Sequence, residues 1–96
     1  MSIFSFDWDP EKNIINVGKH NVTFLEAETV FDDDNMIYRV DLKHSKNEER
    51  FFALGMSEKP RLLLVCHCIR EGLKIRIISA RKATKKEIRL YEEGLI

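Results

Sequence analysis

Proline and glycine are scarce, two and four among 96 residues, which excludes a collagen-like or low-complexity chain, since both need those residues in bulk. Long apolar runs are missing too. The longest, Leu62 to Ile69, is interrupted by His67 and falls far short of the roughly 20 residues that a membrane-spanning helix needs. No basic stretch leading into an apolar one opens the chain, so no secretory signal is expected, no membrane is involved and the cytoplasm is the expected compartment. Cysteine is limited to Cys66 and Cys68, a spacing too short for an easy bridge and suited to reduced, buried thiols. Gly-rich phosphate loops, nucleophile elbows and H-E-x-x-H zinc motifs are absent, and no cofactor is expected.

What remains is 44% apolar and 33% charged, the composition of one soluble domain over residues 1–96. A chain of this length buries about two thirds of its unfolded surface, so it needs no disulfide or metal staple. Sixteen Lys and Arg balance sixteen Asp and Glu, but unevenly. Residues 1–34 hold eight acids against Lys12 and Lys19, while Lys74, Arg76, Arg81, Lys82, Lys85, Lys86 and Arg89 face a single nearby acid, Glu87. A local basic field is the electrostatic footprint of a polyanion partner. The plainer reading is a solvated helix face that pairs with the acidic N-terminal third.

Phe4, Phe6 and Trp8 alternate with polar residues, predicting a short strand. Asp9-Pro10 reads as a helix start, cap followed by proline, and Asn21 suits the left-handed residue that ends that helix after Lys19-His20. Thr23-Phe24-Leu25-Glu26 predicts a capping box, Phe24, Ala27 and Phe31 a core stripe, and Asp32-Asp33-Asp34 a helix stop. Strands are predicted over 36–43, 48–54, 62–69 and 73–79, with a polar turn at 43–47, a loop at 57–60 and a hairpin turn at 70–72. The run 62–69 is apolar on both faces and belongs mid-sheet. Thr84-Lys85-Lys86-Glu87 opens a last helix with Ile88, Tyr91 and Leu95 as its core stripe. The expected fold is α+β, an antiparallel β-sheet packed against N-terminal and C-terminal helices.

The most informative stretch runs from Arg76 to Glu87. It puts Arg76, Arg81 and Lys82, with Ser79, where a central strand gives way to a capped helix, and Arg offers a planar fork for two phosphate oxygens. Either arginine could instead tie down a loop by pairing with Asp7, Glu48 or Glu49. Arg50 and Phe52 share a strand face, so a base could stack on the ring while its phosphate meets the Arg, although Phe51 and Phe52 are more often core. His20 closes the first helix as a possible proton donor or a plain cap. Cys66-His67-Cys68 with His20 and His44 invites zinc, but alternation sends the thiols and His67 to opposite faces, so no metal site is expected.

In order and spacing, Phe6-Asp7-Trp8-Asp9-Pro10-Glu11-Lys12, Asn16, Lys19-His20, Phe24-Leu25-Glu26-Ala27, Val30-Phe31-Asp32, Glu49-Arg50, Gly55 and Arg76-Ile77-Ile78-Ser79-Ala80-Arg81-Lys82-Ala83 with Glu87 and Tyr91 resemble the BrnT family of bacterial type II toxins. Asn21 departs from the Gly common in the family, and tolerates the same left-handed turn. The resemblance implies a RelE-like fold, a ribonuclease that blocks translation, and a cognate BrnA-like antitoxin with which the toxin represses their operon. Operator DNA is then met only through that complex. The alternatives are a non-catalytic toxin that binds gyrase or another target, and a regulatory binding module. For the ribonuclease, the expected chemistry is metal-independent cleavage through the ribose 2′-hydroxyl, with Arg50, Arg76 and Arg81 as phosphate ligands. Glu49 or His20 is the expected base and His20 or Lys19 the expected acid, with Lys19, Lys82, Lys85, Lys86 and Arg89 as further RNA contacts.

Overall fold

A computed structural model describes residues 4–94. Five strands form one sheet in the order β1-β5-β4-β3-β2, with β1 Ser5–Asp7, β2 Ile37–Val40, β3 Arg50–Met56, β4 Leu62–Arg70 and β5 Lys74–Lys82. Strands β2 to β5 form an antiparallel meander. The N-terminal strand β1 adds to β5 in parallel, so the sheet is mixed at that edge and not wholly antiparallel. The α+β architecture with β4 at its centre is otherwise the one read from the sequence.

Helix α1, Pro10–His20, starts on the Asp9 carboxylate, which accepts from the Glu11 N–H, and ends at Asn21 with φ 57°. Its buried residue is polar. Strand β1 pairs with β5 only as far as Arg76, which leaves the outer edge of β5 open at Ala80; the Asn16 amide closes it, donating to Ala80 O and accepting from Ala80 N, and donates as well to Val22 O. Ile14, Ile15 and Val17, the aliphatic residues of this helix, stay exposed. Helix α2, Phe24–Glu28, continues as a 3₁₀ turn over Thr29–Asp32. Phe24, Ala27 and Val30 from this segment meet Ala53, Leu63, Val65, Ile75, Ile77 and Ala80 of the sheet in a core of side chains removed from water. Phe31 only borders that core; Val30 takes the central place.

The capping box expected at Thr23 is half formed. Thr23 Oγ1 accepts from the Glu26 N–H, but the buried Glu26 carboxylate turns inward to Arg61 and Ser57, fastening α2 to the β3–β4 loop. At Asp33 the acidic run ends the 3₁₀ turn and its carboxylate accepts from the Met56 and Asn35 N–H groups and the Tyr91 hydroxyl. Gly55 lies within strand β3 because the 3₁₀ turn presses on it: a Cβ there would sit 2.9 Å from Val30 Cγ1. Helix α3, Lys85–Glu93, has a complete Thr84/Glu87 capping box. Its inner side is Glu87, Leu90 and Tyr91; Ile88, expected in the core stripe, is 36% exposed, and Leu95 lies outside the described residues.

Candidate functional site

The two faces of the sheet differ. Side chains Ala53, Leu63, Val65, Ile75, Ile77 and Ala80 pack under the helices on one face, whereas on the other, among the described residues, α3 lies at one end by Ile37, Leu54 and Leu64 and the segment 41–44 lies by Arg50 and Phe52. The rest of that face is open and carries the arginines.

A bulge in β5 puts them there. His67 pairs with Ile77 and Cys66 with Ser79, so Ile78 is an extra residue without a partner in register. Plain alternation from Arg76 would send Arg81 to the helix-covered face. The extra residue reverses the parity, so Arg76, Ser79 and Arg81 pair with Cys68, Cys66 and Leu64, which share one face. Arg50 pairs with Cys68 from the other side. Arg50 and Arg76 therefore flank Cys68 in one transverse row, about 10 Å apart by strand spacing. Lys82 follows Ala80 to the opposite face.

The three arginines differ in what holds them. Arg81 Nη1 and Nη2 donate to Glu87 Oε1 and Oε2 at 2.8 and 2.9 Å, and Arg76 Nη1 donates to Asp7 Oδ2 at 2.9 Å. The internal pairing weighed for both is present, with Glu87 as the unforeseen partner of Arg81. Hydrogen bonds from Arg81 hold the Glu87 carboxyl below its ordinary range. Arg50 is half-buried, and its guanidinium has no ion pair or hydrogen bond among the described residues. Arg50 and Arg81 line one open cleft of about 380 Å³ with Asp41, His44, Phe52 and Cys66. Arg76 is on the same face beyond its rim. Burial pushes the Cys66 thiol up, which keeps it protonated.

Two cleft residues escaped the sequence reading. The strand expected over 36–43 stops at Val40, and Leu42–His44 form a 3₁₀ turn that brings His44 Nδ1 to 2.9 Å from Asp41 Oδ2. Asp41-x-x-His44 is the available signal, but alternation assigns Asp41 to a strand and His44 to the polar turn that follows, which separates the pair. Glu49, exposed just before β3, and His20, half-buried at the end of α1, do not line the cleft. Lys19, Lys85, Lys86 and Arg89 are exposed, the first on α1 and the others on α3. Strand β5 runs on to Lys82, so Arg81 is a strand residue near its end and not part of a junction loop.

His67 faces away, into an aromatic cluster of Phe31, Tyr38 and Phe51. Its Nδ1–H donates to Val65 O, its Nε2 accepts from the Tyr38 hydroxyl, and burial pushes it down to about 4. Burial likewise pushes Tyr38 up to about 12. This ring is core. Among the described residues no group of three or more His, Cys, Asp or Glu side chains is placed to hold a metal ion, and no helix is long and apolar enough to cross a membrane.

A family model described as ribonuclease toxin, BrnT, of type II toxin-antitoxin system matches residues 8–87. Among solved structures, the chain is similar to the Brucella abortus ribonuclease toxin BrnT, known from a 1.1 Å crystal structure, with a TM-score of 0.63 and 21% identity over 85% of this chain and 99% of that one. That likeness speaks to the fold. No curated protein matches. The family model begins just after the first strand and spans both N-terminal helices, the whole meander and the start of the last helix, and on that match the chain belongs to the BrnT family of type II ribonuclease toxins.

Proposed function

We propose that this chain is a metal-independent endoribonuclease toxin that inhibits translation in the cytoplasm until a cognate, BrnA-like antitoxin covers it, with operator DNA met only through the toxin-antitoxin complex. The whole of residues 1–96 serves as one toxin domain. The observation that carries the reading is the cleft in which the unpaired Arg50 and the forked Arg81 meet beside Phe52 on the uncovered sheet face. Cations fixed on strands are preorganised, and a dianionic phosphorane gains most from charges that need not move to meet it. In this reading the ribose 2′-hydroxyl attacks the adjacent phosphorus in line. Arg50 and Arg81 hold the phosphate oxygens, Arg76 binds the neighbouring phosphate, and Phe52 offers its ring to a base. Arg81 must share its fork with Glu87, so it contributes as part of a fixed pair. Lys19, Lys82, Lys85, Lys86 and Arg89 supply field and backbone contacts.

Incubation of the purified protein with RNA in excess chelator tests this. Cleavage that leaves 2′,3′-cyclic phosphate or 3′-phosphate and a 5′-hydroxyl is the expected result, because metal-activated water usually leaves a 5′-phosphate. Growth arrest without RNA cleavage would instead make the chain a target-binding toxin, for example of gyrase. Cleavage that vanishes in chelator and returns with a divalent ion would overturn the metal-free chemistry alone.

A further inference from the structure

We propose that His44 is the base that takes the 2′-hydroxyl proton in the arginine cleft and that Asp41 is its positioning residue; this deepens the ribonuclease reading and rests on it. Asp41 is 4% exposed, an unusual place for a carboxylate. Its backbone is pinned, the N–H donating to Arg50 O at 2.7 Å and the C=O accepting from Ser45 Oγ. Ser45 Oγ in turn accepts from the Arg50 N–H. The carboxylate is therefore fixed relative to Arg50. It accepts from His44 Nδ1 at 2.9 Å, which selects the tautomer with its proton on Nδ1 and leaves a lone pair on Nε2. The ring is 56% exposed and Nε2 has no partner among the described residues.

This is the arrangement a general base needs: one nitrogen held by a buried acceptor, the other without a partner among the described residues, on a ring that lines the cleft with Arg50 and Arg81. Nε2 accepts the proton of the 2′-hydroxyl, and the freed oxygen pair forms the new bond to phosphorus. The bond from phosphorus to the 5′-oxygen breaks, its electron pair leaves on that oxygen, and water supplies the proton. The imidazolium, stabilised by Asp41, returns its proton to solvent. Across the cleft His44 faces Arg50, Arg81 and Cys66. Its own loop adds Lys43, Lys46 and Glu48.

The test uses the full chain and an RNA substrate in chelator, comparing wild type with His44→Ala, His44→Gly and Asp41→Asn. His44→Ala should lower kcat by about 100-fold or more with little change in RNA affinity, and should flatten the acidic limb of the pH–rate profile. Added imidazole should restore part of the His44→Gly activity. Asp41→Asn should lower kcat with little change in RNA affinity, a kcat-against-KM split that a loop staple would not produce. Thermal melts check folding, and imidazole rescue keeps the proposal testable if one variant is loosened. Wild-type rates and an unmoved limb in the His44 variants would overturn the proposal and leave the ribonuclease reading standing. Failure of the wild-type protein to cleave RNA would overturn both.

Discussion

His44 and His67 carry the same ring into opposite surroundings, one half in water beside two arginines and the other sealed among Phe31, Tyr38 and Phe51. The sealed ring makes stability depend on pH. Its folded value of about 4 lies below that of an exposed histidine, so the unfolded chain binds the proton more readily and the native state loses stability as pH falls from about 6.5 to 4. The loss amounts to up to about 3 kcal/mol. Unfolding free energies measured in urea across that interval should show the slope in wild type and a flatter curve in His67→Leu. Glu26, held below the ordinary carboxylate range by Arg61, adds a further loss only at more acid pH. The arginines separate in the same residue-by-residue way. Arg50→Ala should cost about 100-fold or more in RNA cleavage with the melting temperature unchanged, because among the described residues its guanidinium makes no ion pair or hydrogen bond. Arg81→Ala should lower activity and also loosen α3, since Glu87 serves both Arg81 and the Thr84 N–H. Equal melting temperatures for the two variants would show that the Arg81 pair adds nothing to the helix.

Elements were legible in the sequence where their determinants are local. The Asp9 cap, the left-handed Asn21 and the Thr84/Glu87 box each act within four residues, and each is present. Where a residue answers to a distant partner, local reading misleads. Glu26 leaves its cap for Arg61, 35 positions away, and Asn16, rather than the aliphatic residues beside it, is the buried residue of α1 because Ala80 needs its amide. The site was half legible for the same reason. Arg50, Arg76 and Arg81 stood out as cations, but the bulge at Ile78 that turns the last two to one face depends on pairing with β4, and alternation alone predicts the reverse. Asn16→Ala puts a magnitude on such a long-range tie. It leaves Ala80 N–H and the carbonyls of Ala80 and Val22 without their amide partner, a loss of about 3 kcal/mol. Chemical denaturation measures it, and a change within experimental error would mean that water replaces the amide at the β5 edge.

Charge is divided across the whole molecule as the elements are. The acids of the first 34 residues sit mainly on the segment that covers the core face, while the cations of β3, β5 and α3 gather around the open face and its α3 end. A neutral total thus hides a molecule with a cationic side, and complementary potential is what speeds encounter with an anionic partner. An antitoxin that neutralises this toxin is expected to meet that side with acidic residues, occluding the cleft as it binds. Association should then slow as salt rises, because exposed charges are screened within about 8 Å at physiological ionic strength. Reversing Lys85 and Lys86 of α3 to Glu should slow it by about 10-fold and flatten the salt dependence. Stopped-flow association at several salt concentrations reads both quantities. The competing surface is the exposed Ile14 and Ile15 of α1, 71% and 56% exposed, on a helix that lies along the β5 edge. An antitoxin seated there would associate with the charge-reversed toxin at the wild-type rate and lose affinity to Ile14→Ser instead, so the two variants together decide which side it covers.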